Sequence, residues 1–597
     1  MGLAYALVHL VFNLPPALLG TFLYGPFFTR LDLYKILSLV VIAVISTTPW
    51  DSNLIRQQIW TYPPDAVLGW TLFTIPVEEI FFFAIQTYNT ALLHTVLTKR
   101  LVLPMYLPRF PKATRRYRDN GALVISGAFG LGFASLWLGG RATYLGWILS
   151  WVCPVLLLQW LITYPFLLAL PRKLVLTCIC IPTFYLWYVD TLALGKGTWA
   201  LSQGTKLNIQ LWQHLEVEEA LFFLATNTMI VLGLIAVDHA IATAQYQIAA
   251  VPDEKNKAFP SFWALLVGYL RRDDIYDAAF ITELLDAVNT LQKKSQSMYM
   301  ASAVFQGQLR IDLIFLYSFC RTIDDLVDEA HDRETARYWI DECATAIDRH
   351  FHPAASTAPH MPTIQQECVS SSESSRRLFA STNRLPTGRM DSGPLSELLN
   401  GFRTDLKFDA LHNQFPIATE ADLDRYAYHV AGTVAVATIQ LSLSHYPEHR
   451  AQMSEAEQRA VMAASERMGQ ALQYVNIARD VVVDARIGRV YLPTSWLEAE
   501  GLTPAEVVRN PGDDRIRGLR ERMLLKADAW YHESERMIRQ LPVEVQGPMR
   551  VIVDGYMAIG VVVREELRRK TGQTKEVKAK VPLWRRLAIV WWAMVRR

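Results

Sequence analysis

Four aspartates carry the first chemical signal in this chain. Asp480 and Asp484 stand four residues apart in the stretch from Asn476 to Pro493 (NIARDVVVDARIGRVYLP). Asp324 and Asp328 repeat that spacing in YSFCRTIDDLVD, which begins at Tyr317. On a helix, residues i and i+4 lie about 40° apart around the axis, so each pair projects from one face. Two helices that aim paired carboxylates at one cavity can hold Mg²⁺ (or Mn²⁺), hard cations that take oxygen ligands and share them with substrate phosphates. Arg321 and Arg479 stand beside the pairs and offer planar guanidinium groups matched to diphosphate oxygens. A lone D-x-x-x-D is usually a solvated helix face. Two of them, each with an arginine, point to metal-assisted diphosphate chemistry.

Two pairs of glutamates carry the second signal. Glu78 and Glu79 lie in IPVEEIFFF, and Glu218 and Glu219 lie in LEVEEALFF. The helix dipole alone accounts for one acidic pair at the start of an apolar helix. Two pairs in register need more, because carboxylates in or near a membrane are costly and mark functional sites by default. Desolvation and an adjacent like charge both raise a carboxyl pKa, so one member of a pair can stay protonated and act as an acid. Phe81, Phe82, Phe83, Phe222 and Phe223, with Trp50 and Trp60, can offer π faces to a carbocation, although ordinary packing is their simpler role.

The elements that position these residues divide the chain in two. Of the 116 charged residues, 26 fall in 1–240 and 90 in 241–597, so the first part reads as membrane-embedded and the second as soluble. A net charge of +2 gives no reason to expect nucleic acid, and the six scattered cysteines suggest neither disulfides nor zinc. Apolar runs near 3–24, 33–49, 68–93, 121–139, 145–170, 174–194 and 217–237 predict seven transmembrane helices. Eleven basic residues fall on one side of such a bundle, seven of them between Lys99 and Arg118, against Arg56, Arg141, Lys196 and Lys206 on the other. The positive-inside rule then places the N-terminus on the non-cytosolic side and the charged half in the cytosol.

The membrane half is duplicated, with repeats near 1–98 and 140–239. Asp51 and Trp60 precede the first Glu pair, while Asp190 and Trp199 precede the second at an offset of 139 residues. An extra helix at 121–139 restores the orientation of the second repeat. Both Glu pairs should therefore sit at the same non-cytosolic end and converge on one cavity. Residues 241–258 turn polar and read as a linker. From 259 to 581 the pattern is helical throughout, interrupted by a Ser/Pro/Thr-rich stretch at about 352–394 that reads as a disordered insertion. The tail from 582 to 597, PLWRRLAIVWWAMVRR, is too short to span and reads as an interfacial amphipathic helix that docks on lipid. The fold class expected is all-α.

The motifs bring two resemblances. The duplicated Glu-Glu helices resemble the small membrane lycopene β-cyclases, whose two similar polypeptides are fused in fungal enzymes. That likeness implies acid-catalysed, non-redox closure of lycopene ψ-ends to β-rings. No G-x-G-x-x-G follows a strand, so neither a flavin nor a nicotinamide motif is found. Pro76 replaces Glu216 in the first repeat, so the acid of the second half is Glu216, Glu218 or Glu219.

Residues 270–575 resemble the squalene/phytoene synthase family through the SQSMYMAS run (295–302), LYSFCR (316–321), GFRTDL (401–406), YAYHVAGT (426–433) and the two aspartate motifs. The GRVYLP ending of the second motif looks more like phytoene than squalene synthases. The likeness implies head-to-head joining of two geranylgeranyl diphosphates through a cyclopropyl diphosphate. It implies metal binding by Asp324, Asp328, Asp480 and Asp484, with Asp325 as a helper, and substrate contacts from Arg321, Arg479, Tyr317, Tyr426, Gln473, Asn476, Tyr556 and Ser297. Ala435 stands where the family has Gly, a change expected to affect helix packing only. The reading is thus of a bifunctional, multi-pass membrane enzyme that meets geranylgeranyl diphosphate and lycopene, with a carotenoid desaturase as functional neighbour. The rivals are a single synthase on a membrane anchor, or a transporter-like N-terminal half.

Overall fold

The computed structural model describes residues 2–109, 111–250, 276–353, 373–568 and 579–596. They form two compact units that divide between Thr282 and Glu283. Among the described residues of the first unit, seven helices are long and apolar enough to cross a membrane. These are α1 (Ala4–Phe27), α2 (Arg30–Arg56), α3 (Val77–Thr98), α4 (Pro111–Leu138), α5 (Thr143–Ala169), α6 (Arg172–Gly195) and α7 (Val217–Ala250). More than half of α3 and α7 is buried, against less than a third of each other span. These two are therefore the central pair, and the exposed Leu, Val and Phe side chains of α1, α2 and α4 face outward as lipid contact requires.

Polar bonds join the central pair. Gln86 donates to Thr226 at 3.1 Å and Thr90 to Asn227 at 2.9 Å, which satisfies groups that lipid cannot. The extra helix α4 lies close on α5 because both contact residues lack side chains. A Cβ on Gly132 would come within 2.6 Å of Leu149, and one on Gly146 within 2.9 Å of Leu136. Inside α1, a π-helical turn at His9–Asn13 buries both of its end residues, a distortion that is common at functional sites.

The duplication appears as physical pairing. Strand β1 (Trp60–Thr61) runs antiparallel to β4 (Ala200–Leu201), with Thr61 opposite Ala200. The hairpins β2 (Thr71–Leu72) with β3 (Ile75–Pro76), and β5 (Gln210–Trp212) with β6 (Leu215–Glu216), lead into α3 and α7. Strands of two or three residues are too short to show an alternating pattern, so the sequence reading of helices alone missed them. Tyr5 and Tyr144 share the offset that relates Asp51 to Asp190, which extends the repeat to the first helix of each half.

The expected linker is corrected in part. Residues 241–250 continue α7, with Ile241, Ala242, Ala244 and Tyr246 buried and Tyr246 edge-on to Tyr276 and Phe280. The neighbouring glutamines lower the local hydropathy without breaking that apolar stripe. Residues 251–258 lie outside the described residues.

The second unit begins within α8 (Ala278–Lys294) and is helical. It continues through α9 (Gln296–Ser302), α10 (Gly307–Asp328), α11 (Arg333–Phe351), α12 (Glu373–Asn383), α13 (Gly393–Asp405), α14 (Glu420–Ala427) and α15 (Thr433–Ser444). The 32-residue α16 (Glu455–Arg486) forms its spine, started by a capping box from Ser454 and Glu457. Around it pack α17 (Asp514–Glu535) and α18 (Val543–Arg568), and the last helix is α19 (Leu583–Val595).

One expectation changes here. Within the stretch 352–394, residues 373–394 are ordered. Helix α12 buries Leu378, and Leu385 and Met390 join the same core, so three spaced apolar residues anchor a segment whose Ser and Thr content masked them. Residues 354–372 lie outside the described residues. The C-terminal α19 packs on α18 through buried Ala593 and Met594 and an Arg585–Glu565 ion pair at 2.9 Å. Its Leu583, Trp584, Leu587 and Trp592 remain exposed.

Candidate active sites

The first site forms where α3 and α7 begin, at the end of the membrane unit that also holds the start of α1 and α5 and the close of α2 and α6. The two members of each Glu pair have different surroundings. Glu78 accepts a hydrogen bond from the Leu68 N–H at 2.7 Å, and Glu218 accepts one from Leu207 N–H at 2.6 Å. These are equivalent loop positions, so the first glutamate of each pair ties a loop to its helix. The second glutamates turn toward each other and lie within electrostatic reach. Glu79 accepts hydrogen bonds from Tyr5 and, at 2.8 Å, from Tyr62. Glu219 accepts one from Tyr144 at 2.7 Å.

Between them is a small chamber bordered by Tyr5, Trp60, Tyr62, Glu79, Asp190 and Glu219, with Phe82 and Phe223 in its apolar wall. Trp50 instead stacks on Trp151 at 4.5 Å and on Phe222 at 5.6 Å, so it packs rather than lines. Phe81 and Phe83 also lie off the chamber. Glu216, the alternative acid, is paired with Lys206 at 2.7 Å. In the first repeat these positions are Val67 and Pro76, so that repeat has no counterpart of the ion pair. Sequence reasoning missed Tyr5, Tyr62, Tyr144 and Asp190 as site residues. The repeat offset shared by Tyr5 with Tyr144, and by Asp51 with Asp190, was the available signal.

The second site lies in the helical unit. Helix α10 presents Tyr317, Arg321, Asp324, Asp325 and Asp328. Helix α16 presents Gln473, Asn476, Arg479, Asp480 and Asp484, and α18 adds Tyr556. Below the polar groups runs a large apolar cavity, lined by Gln473, Asn476 and Tyr556 and by Met468, Ile538 and Met549. Tyr556 is within electrostatic reach of both Tyr317 and Arg479, which links the two aspartate helices. Arg489, in the GRVYLP run, reaches across to Asp328 at 3.4 Å.

Arginines hold the aspartates ready. Arg321 contacts Asp324 and Asp325 at 2.5 Å each. Arg479 grips Asp480 through two bonds of 2.7 Å. Asp325 is buried and also faces Lys294 at 3.1 Å and Arg377 at 3.5 Å, so it anchors cations. Burial raises the Asp324 carboxyl above its ordinary range despite Arg321. The donor set is oxygen-only, as a hard divalent cation prefers. Among the described residues no three His, Cys, Asp or Glu side chains form a complete ligating group, so phosphate oxygens would have to complete the shell.

Tyr426 does not line the cavity. It is buried, stacks on Tyr491 at 4.8 Å and donates to Asp405 at 3.3 Å, while Tyr491 donates to the same carboxylate at 2.8 Å. Desolvation pushes the Asp405 carboxyl up to about 6, against the opposing pull of Arg489 and the two phenols. Ala435, expected to matter for helix packing only, forms part of the cavity wall. Ser297 lies on α9, and its side chain is outside the described ones.

Comparison with known proteins covers both units. A family model described as squalene/phytoene synthase matches residues 291–585. The bifunctional lycopene cyclase/phytoene synthase of Arthroderma gypseum is 50% identical over 607 residues, with 100% of each chain covered. The proteins of that name from Aspergillus oryzae and Leptosphaeria maculans are each 44% identical, covering 100% and 99% of both chains respectively.

Proposed function

With full-length identity of this order the chain belongs to the bifunctional lycopene cyclase/phytoene synthase family, and we propose how its two sites divide the work. The chain is an enzyme of carotenoid biosynthesis that makes phytoene and cyclises lycopene. In the helical unit two geranylgeranyl diphosphates bind with their tails in the apolar cavity. Arg321 and Arg479 hold diphosphate oxygens, and Asp324, Asp328, Asp480 and Asp484 would hold a divalent cation there. That cation supplies charge neutralisation to the departing diphosphate. Gln473 and Asn476 orient oxygens at the cavity edge. The apolar wall keeps water from the carbocations of the first coupling and of the cyclopropyl rearrangement.

In the membrane unit a lycopene ψ-end enters the chamber of Glu79 and Glu219. A carboxyl O–H breaks as its proton adds to the terminal double bond, the resulting cation closes a C–C bond to form the ring, and a ring C–H gives its proton to a second carboxylate. No electrons are gained or lost, so no redox group is required. The observation that carries this reading is the convergence of Glu79 and Glu219, from opposite repeats, on one chamber with phenol partners. Phytoene is not lycopene, so a desaturation must supply the chamber's substrate. The loop charges support a non-cytosolic N-terminus and a cytosolic synthase segment, and the exposed Trp584 and Trp592 of α19 suit a lipid surface.

Cells that make lycopene but no ring-bearing carotenoid provide the test. Expressing this chain there should yield cyclic products, and Glu79→Gln or Glu219→Gln should abolish them while phytoene synthesis persists. Asp480→Asn should keep ring formation there and lose phytoene synthesis in cells that make geranylgeranyl diphosphate but no phytoene. Wild type that leaves lycopene untouched would sink the cyclase assignment.

A further inference from the structure

We infer that Asp190 is a third catalytic carboxyl of the chamber and the one that delivers the proton to the ψ-end; this rests on the lycopene-cyclising reading above. Asp190 is 1% exposed and borders the chamber with Glu79 and Glu219. Its Oδ1 accepts a hydrogen bond from the Trp199 indole at 3.1 Å, whereas its Oδ2 is buried with no hydrogen-bond partner among the described residues. A buried carboxyl oxygen left without a partner is expensive, and such a group in a native fold has a reason to be there. No cation is paired with it among the described ion pairs, so it is not half of a structural salt bridge.

The three carboxyls are committed differently. The Glu79 and Glu219 side chains accept phenol hydrogen bonds, two and one respectively. An oxygen that already accepts O–H bonds is arranged to receive a proton or to stabilise a nearby cation. The acid needs an oxygen that gives up its hydrogen to the alkene and to nothing else, and Asp190 Oδ2 is so placed. Glu78 and Glu218 also leave one oxygen without a partner, and so does the repeat counterpart Asp51, on both oxygens, but none of these borders the chamber. The duplicated scaffold has thus produced one site rather than two, with Asp190 inside it and Asp51 outside.

The step balances within the chamber. The Asp190 O–H breaks, a C–H bond forms at the terminal alkene, and ring closure moves the cation to a ring carbon. Loss of a ring proton to Glu79 or Glu219 forms the product double bond. That proton returns to Asp190 before the next turnover, so the enzyme is unchanged.

The experiment uses the full-length protein in membranes with added lycopene. Asp190→Asn should lower kcat for ring formation by about 100-fold or more, the range of a lost general acid, with KM and the absorption spectrum of bound lycopene unchanged. Asp190→Glu should recover part of the rate. Asp51→Asn should stay near wild type, and all three should make phytoene normally. Wild-type kcat in Asp190→Asn would overturn the assignment. So would a loss of lycopene binding that accounts for the lost rate, since that marks a merely structural carboxyl. Glu79→Gln and Glu219→Gln run in parallel. If these two are inactive and Asp190→Asn is active, the chamber reading stands and only the role of Asp190 falls.

Discussion

Glu78 and Glu79 are neighbours, yet the chain gives them different work, because consecutive residues on a helix point about 100° apart. Glu78 turns toward the Leu68 N–H, and Glu79 turns toward two phenols and the chamber. Glu78→Gln keeps an acceptor for that N–H and should leave substantial ring formation, whereas Glu79→Gln should leave none; product analysis of both variants checks this. Asp405 gives a pH prediction in the other unit. Its carboxyl rises from 3.8 to about 6 on folding, so the fold disfavours its ionised form. The associated stability is complete below pH about 4 and is lost as pH rises through about 6. Relative to Asp405→Asn, wild type should therefore lose up to about 3 kcal/mol over that window. The thermal midpoint of synthase inactivation, measured for both proteins across the window, reads the difference. A difference that does not change with pH would contradict it.

At the scale of elements, much was legible because it depended on period and charge. The seven spans and the two aspartate helices follow from apolar length and i, i+4 spacing. The hairpins before α3 and α7 were not legible, since a two-residue strand has no period and its register depends on contacts between distant loops. Helix α12 was hidden for a related reason: only Leu378 in it is a buried hydrophobic residue, and composition averages over it. Leu378→Ala should cost the synthase unit about 2–5 kcal/mol, as core truncations do, and lower its inactivation temperature. The Lys206–Glu216 pair supplies a contrasting case. Either Lys206→Met or Glu216→Gln alone should destabilise the membrane unit by leaving a buried polar partner unpaired. The double variant should recover most of that loss, because the first repeat manages with Val67 and Pro76. A thermal-shift double-mutant cycle measures the coupling.

At the scale of the molecule, the chain places two carbocation chemistries in separate dry sites of opposite construction. The synthase site begins its cations by ionising a diphosphate, and so brings arginines and aspartates to the mouth of an apolar cavity. The cyclase chamber begins its cation by protonating an alkene, and so collects carboxyls with phenols and has no paired cation among its described lining residues. Gene duplication could be read from the matching Glu pairs. A shared cavity for those pairs was also expected, but its asymmetry, with Asp190 inside and Asp51 outside, was not legible, because nothing in either repeat states which faces meet. The most direct test of this division is carotenoid analysis of wild type, Glu79→Gln, Glu219→Gln and Asp480→Asn in two hosts, one that accumulates lycopene and one that makes geranylgeranyl diphosphate but no phytoene. The account predicts rings from wild type, phytoene without rings from both glutamate variants, and rings from supplied lycopene without phytoene from the aspartate variant. Rings formed at the wild-type rate by either glutamate variant would contradict it.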